Sequence, residues 1–272
     1  MSEVGTDKVF AGSIPEIYET LLVPLLFEPY AADLVPRLAP RSLTSVLEVA
    51  AGTGVVTRAL AKTLPQNVRI VATDLNGAMI DRARTVGTAR EVEWREADAM
   101  ALPFADGAFD AVACQFGVMF FADKSKAFAE ARRVLRPGGF LLFNVWDRIE
   151  ENEFADAVTT SLQTVFPADP PLFLRRTPHG YFNTDTIRQD LAGAGFSSSP
   201  QITTVAARSR SISAQIPAAA FCQGTPLRNE ITTRDPARLL EATDTAAAAI
   251  ARRFGPGAVD GKIQAHVVAI DS

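Results

Sequence analysis

The stretch from Val46 to Thr57, V-L-E-V-A-A-G-T-G-V-V-T, limits what this chain can fold into more than any other. Val46, Leu47 and Val49 form a short β-favouring apolar run, the pattern of a strand buried on both faces. Small residues follow at once (Ala50, Ala51, Gly52, Thr53, Gly54), and Arg58 to Leu64 continue with helical character. Strand, glycine turn and helix in that order set backbone N–H groups and a helix N-terminus at the carboxyl end of a parallel sheet. Open α/β folds bind nucleotide-like ligands there. The dinucleotide form G-x-G-x-x-G is incomplete, because Thr57 stands at the third glycine position and Glu48 does not belong to it.

The next elements continue the alternation. Pro65 and Asn67 break the chain, and Arg69 to Thr73 reads as a second strand ending in Asp74. An acidic residue there, roughly 20 residues beyond the glycine loop, is placed to accept from ribose hydroxyls. A helix with Met79, Ile80 and Ala83 inward follows, then a short edge strand at Val92 to Glu96. After the stretch Ala97-Asp98-Ala99-Met100-Ala101-Leu102-Pro103-Phe104 and Asp106-Gly107-Ala108-Phe109-Asp110 come a strand at Ala111 to Gln115 and a helix at Lys126 to Leu135. Arg136-Pro137-Gly138-Gly139 reads as a turn, and Phe140 to Trp146 as a continuous apolar strand.

Residues 46 to 146 resemble the class I S-adenosylmethionine (SAM) methyltransferases. The first stretch is similar to their apolar-apolar-[D/E]-x-G-x-G-x-G motif, with Ala50 in place of the first glycine. Residues 97 to 110 resemble their D-A-x-x-L-P-F-x-D-x-x-F-D segment, and V-L-R-P-G-G-F-L resembles the family again. The resemblance implies an α/β, doubly wound Rossmann-like fold: a mostly parallel seven-stranded sheet with an antiparallel last strand, plus helical cap insertions. It implies SAM as cofactor, with Glu48, Ala50, Gly52, Thr53, Gly54, Asp74, Leu75, Met79, Asp98, Ala99, Gln115 and Phe116 as cofactor-site residues and Tyr18 near the mouth of a lid. In that scheme Asp98 accepts from the adenine amino group and the Ala99 N–H donates to the ring. Gln115-Phe116-Gly117 lies where the methyl is transferred.

The expected organisation is a helical lid segment at 1–40, a SAM-binding core at 41–146, and the rest of the sheet with cap insertions at 147–272. Pro24 and Pro29 are expected to interrupt the first helices, and Tyr18, Leu22, Leu25 and Leu26 to form an apolar face. Beyond Trp146 we expect a helix at Phe154 to Val165, a proline-rich loop at Phe166 to Pro178 and a helix at Thr184 to Ala194. A strand near Ile202 to Ala207, helices within Pro217 to Phe254 and a last strand at His266 to Ile270 complete the reading. The cap segments, 147–183 and 211–255, are apolar with scattered arginines such as Arg175 and Arg176. They suit an enclosed pocket for a mostly apolar small-molecule acceptor.

A net charge of −4, from 27 basic and 31 acidic residues, gives no basic face for nucleic acid. Cys114 and Cys222 form neither a metal spacing nor a disulfide framework, so no metal is expected and a reducing cytoplasm fits. They also argue against an arsenite-type acceptor. Met1 to Lys8 lacks the order of a signal peptide, and Leu21 to Phe27 is too short and broken to span a bilayer, so no membrane association is expected. Methyl transfer needs a general base only if the acceptor holds its proton. His179 is the candidate, with Asp147 and Tyr181 behind it, and no catalytic residue is assigned. Two alternatives stand: an NAD-dependent oxidoreductase, disfavoured by Thr57 and Asp98, and a SAM-binding protein without transfer activity. Acceptor identity, the methylated atom and the oligomeric state are open at this point.

Overall fold

The computed structural model describes residues 7–38 and 41–272; residues 1–6 and 39–40 of the expected lid segment lie outside the described residues. The strands are β1 (Ser45–Val49), β2 (Arg69–Asp74), β3 (Glu93–Glu96), β4 (Phe109–Gln115), β5 (Leu135–Trp146), β6 (Gln201–Ser211) and β7 (Val259–Asp271). They form one seven-stranded sheet in the order β3-β2-β1-β4-β5-β7-β6. The first five run parallel, and the last strand is antiparallel, as expected. β1 is flanked by β2 on one side and β4 on the other. The strand order reverses there, and such a switch point leaves a crevice at the carboxyl ends.

β1 is buried at every residue, which its apolar run requires. Strand residues alternate between faces. Val46, Ile70, Ala111, Ala113, Phe140 and Leu142 share a core with Ala31, Leu34, Val35 and Leu38 of helix Glu28–Leu38 and with Val56 and Leu60 of helix Val55–Thr63. Elsewhere in the sheet Phe143 meets Phe128 of helix Lys124–Val134, their ring centroids 5.1 Å apart.

The chain divides into two compact units. The larger comprises Glu28–Val145, Tyr181–Val205 and Ala265–Ser272 and holds most of the sheet. The other comprises the described part of Met1–Phe27, with Trp146–Gly180 and Ala206–Gln264. It is mainly helical: Gln215–Gly224 packs against Tyr18–Phe27 and against Leu239–Phe254, which in turn packs on Glu153–Val165. No helix among the described residues is long and apolar enough to cross a membrane.

Three local expectations are corrected. Pro24 and Pro29 do not break the first helix: Ile14–Ile17, a π-helical run Tyr18–Phe27 and Glu28–Leu38 follow without a gap. Proline lacks the donor and crowds the preceding turn, and the wider π spacing accommodates both defects. The proline-rich loop after Phe166 contains a turn of helix at Phe173–Arg176. The expected turn at Arg136–Gly139 belongs to β5 as a wide bulge. Phe109 pairs with Leu135 and Ala111 with Phe140, so those four residues stand opposite Asp110 alone.

Asp110 holds that bulge. Its Oδ1 accepts from Arg136 Nη1 at 2.7 Å, and Oδ2 accepts from the Thr44 and Ser45 N–H groups at 2.7 and 2.8 Å. Burial raises its carboxyl, but the hydrogen bonds from Thr44, Ser45 and Arg136 outweigh that and bring it down to about 2. A depressed carboxylate stabilises the fold above its ordinary value of 3.8 and loses that contribution as pH falls through about 2. Asp110→Asn should therefore cost about 2 kcal/mol at pH 6. The gap to wild type should close between about pH 4 and pH 2, as read by urea denaturation across pH.

Candidate functional site

The loop after β1 adopts the left-handed conformation at alternate residues: Ala50 at φ 55°, Gly52 at 57° and Gly54 at 86°. Glycine is required at 54, because a Cβ there would lie 2.8 Å from Trp94 Cη2 and 3.3 Å from Ala83 Cβ. Ala50 accepts the same backbone with a methyl group attached. That methyl reaches the segment after β4, where a Cβ on Gly117 would stand 2.5 Å from Ala50 Cβ and 2.7 Å from Cys114 Sγ. Hydrogen bonds close the loop: Ala51 N–H donates to Thr73 O at 2.9 Å, and Gly54 N–H to Ala51 O at 2.9 Å.

Asp74 ends β2 with a buried carboxylate. Oδ2 accepts from Gly52 N–H at 2.8 Å, and Oδ1 from Asn76 N–H at 2.8 Å. Burial raises its carboxyl above the ordinary carboxylate value, against the lowering effect of the Asn76 and Gly52 hydrogen bonds. Beside it Leu75 leaves 47% of its surface exposed, unusual for a large apolar side chain next to a buried charge. Met79 is buried on helix Gly77–Val86. Ala97 N–H donates to Asp74 O at 3.0 Å, bringing the end of β3 alongside. The next residue, Asp98, turns its Oδ1 back onto Met100 N–H at 2.8 Å, and Ala99 is buried.

Glu48 lies within β1 and is 1% exposed. Its Oε2 accepts from Thr57 Oγ1 at 2.5 Å, joining the strand to helix Val55–Thr63. Thr57, which spoils the dinucleotide pattern, is thus the partner of Glu48. Burial pushes the Glu48 carboxyl up to about 8, so it carries its proton at neutral pH.

At the end of β4, Gln115 pairs in register with Asn144 of β5. Phe116 follows in the left-handed region at φ 52°, a costly conformation for a bulky residue. Its N–H donates to Asn144 Oδ1 at 2.9 Å, and its ring meets Tyr30 edge-on at 5.1 Å. The sequence reading passed over Asn144; an amide inside the run F-L-L-F-N-V-W was the available signal.

Thus contacts link the Ala50–Gly54 loop, Asp74, the Asp98 turn and the Gln115–Gly117 segment at the carboxyl ends of the parallel strands. Tyr18 and His179 belong to the helical unit. Tyr18 stacks on Phe27, centroids 5.0 Å apart. His179 is buried, its Nδ1 2.8 Å from Asp147 O and its ring 5.9 Å from that of Trp146. Burial lowers the imidazole to about 4. Tyr181 donates to Asp190 Oδ2 at 2.6 Å, and Asp147 accepts from Gln264 Nε2 at 2.6 Å.

Residues 47–143 match the family model described as a methyltransferase domain. The chain is 35% identical over 178 residues to the demethylmenaquinone methyltransferase of Thermus thermophilus, covering 61% of this chain and 79% of that one. It belongs to the class I SAM-dependent methyltransferases. Its cofactor is SAM, and it is a methyltransferase rather than an NAD-dependent oxidoreductase. The ubiquinone/menaquinone biosynthesis C-methyltransferase of Hahella chejuensis is 39% identical over 112 residues, 40% of this chain; the match spans only 45% of that relative's length. A SAM-dependent methyltransferase structure from Thermotoga maritima shares the fold, with a TM-score of 0.54, 16% identity and coverage of 100% of this chain and 99% of that one.

The residues present fit SAM. Thr53 Oγ1 is buried without a partner among the described residues, in the loop that the family turns toward its cofactor. Asp74 is a buried carboxylate whose Oδ1 accepts from Asn76 N–H at 2.8 Å and Asn76 Nδ2 at 3.4 Å, and whose Oδ2, beside Gly52 N–H, keeps capacity for a hydroxyl donor. The protonated state of Glu48 has a measurable consequence. A carboxyl raised from 4.5 to about 8 contributes most stability below 4.5 and loses it as pH rises through about 8. Glu48→Gln, which needs no proton, should gain on wild type steadily from pH 5 to pH 8 in urea denaturation of the cofactor-free protein. A pH-independent difference would refute the assignment.

Proposed function

We propose that this methyltransferase acts on a small, largely apolar acceptor, with a quinol ring as the first candidate. The observation that carries the cofactor half is the buried Asp74 carboxylate joined to the Gly52 N–H. We infer that it accepts from the ribose hydroxyls and that Leu75 lies against the adenine. Asp98 and the Ala99 N–H would read the adenine edge, with Met79 lining the pocket. Thr53 and the N–H groups around Gly52 and Gly54 would meet the amino-acid end, and Gln115 and Phe116 would border the methyl. Glu48 would act beneath the loop, through Thr57. Tyr18 is retained as a lid residue. SAM, when bound, supplies an electrophilic methyl on a sulfonium, so this chain's own contribution is alignment and the exclusion of water.

The acceptor half rests on the quinone-pathway names of the relatives and on the apolar character of the helical unit. We assign acceptor selectivity to the cap segments 147–183 and 211–255. With its imidazole lowered to about 4, His179 is neutral at pH 7 and a weak proton acceptor. Its Nδ1 faces a carbonyl, which fixes the proton on that nitrogen and leaves Nε2 as an acceptor. We infer that it orients a donor group and that the acceptor arrives already nucleophilic.

Calorimetry with S-adenosylhomocysteine (SAH), and methyl transfer from SAM to 1,4-dihydroxynaphthalene, test this reading. Asp74→Ala removes a charge-assisted acceptor worth about 1.5–3 kcal/mol and should weaken SAH binding roughly ten- to a hundredfold. His179→Ala should leave SAH affinity unchanged. Equal affinity in wild type and Asp74→Ala would remove the ribose assignment, and no methylated naphthol product would remove the quinol class.

A further inference from the structure

Asn144 is fully buried near the carboxyl end of β5, with 0% of its surface exposed. Its Oδ1 is committed to the Phe116 N–H at 2.9 Å, and its own backbone carbonyl accepts from the same N–H at 3.2 Å. This fixes which way the amide points. Turned over, it would set its NH2 group against the Phe116 N–H, donor against donor. Nδ2 therefore faces away from Phe116, and it has no hydrogen-bond partner among the described residues. Buried amide donors without partners are costly and uncommon, and each calls for a group that completes it.

The sheet order says which ligand. From β2 through β1 and β4 to β5, the carboxyl ends present Asp74, the glycine loop, Gln115–Phe116 and then Asn144. On the methyl-transfer reading proposed above, on which this inference rests, ribose lies at the first of these and the methyl at the third. Asn144 stands one strand further along, on the acceptor side. We propose that Asn144 has two functions: Oδ1 positions Phe116 in its left-handed conformation, and Nδ2 binds substrate by donating to an oxygen lone pair of the methyl acceptor. The substrate class this selects is an apolar ring bearing a carbonyl, enol or phenol oxygen near the methylated atom.

The test uses the full chain saturated with SAH and two probes differing by one oxygen, 1-tetralone and tetralin. In 15N–1H spectra the Asn144 side-chain NH2 pair is assigned by its loss in Asn144→Asp, which retains an acceptor for Phe116. Tetralone should shift that pair and tetralin should not. Tetralone should also bind about fivefold more tightly, the worth of one hydrogen bond. In Asn144→Leu, which has no donor, the advantage should disappear, while SAH affinity in Asn144→Asp stays within about twofold, which a general loss of packing would not produce. An NH2 signal unmoved by tetralone, or no preference for tetralone in wild type, overturns the proposal; the wild-type titration stands even if a variant does not fold. A shift on SAH addition alone, with roughly tenfold weaker SAH binding in Asn144→Asp, would assign the oxygen to the cofactor carboxylate and overturn the acceptor role. Wild type that binds no SAH would defeat the methyl-transfer reading itself, a result distinct from the others.

Discussion

The hydrogen bond from Gly52 N–H to Asp74 Oδ2 ties the end of β2 to the loop that leaves β1. Much of the carboxyl end of β1 and β2 is arranged around it. With Ala51 N–H on Thr73 O, it sets the loop's turn against the neighbouring strand, and Asn76 N–H on the other carboxylate oxygen starts helix Gly77–Val86. One carboxylate thus fixes a loop and a helix entry while retaining lone pairs for a ligand. Its dehydration makes those lone pairs worth more than they would be in water.

The core was legible because its signals are local. Short apolar strands, glycine turns and helical periodicity recur from Val46 to Trp146, and the strand positions follow them closely. What stayed hidden depends on partners distant in sequence. R-P-G-G supplies Arg136 but not its partner: the bulge within β5 depends on Asp110, which is itself held by Thr44 and Ser45, far away in sequence. Likewise Thr57 reads as a missing glycine until Glu48 is seen to be its partner.

The helical unit was less legible, for a related reason. Proline normally signals a break, and Pro24 sits instead within a continuous helical run that changes its spacing. The short helix Phe173–Arg176 is held by tertiary contacts rather than propensity: Glu230 Oε2 accepts from Leu172 and Phe173 N–H, and Arg176 pairs with Glu230 at 2.5 Å. Asn144 was missed because in an apolar strand a single amide carries no periodic signature, and its meaning comes from Phe116 on the neighbouring strand.

The methyl of Ala50 also constrains how this sequence can drift. Its place beside Gly117 means that a side chain at 117 is excluded while Ala50 and the Cys114 thiol hold their positions. The three sites form an epistatic set. A side chain at 117 fits only with glycine at 50 and a smaller or rotated group at 114. A lineage that acquired alanine in this loop would thereby have closed one route of variation beside the position where the methyl is expected to lie.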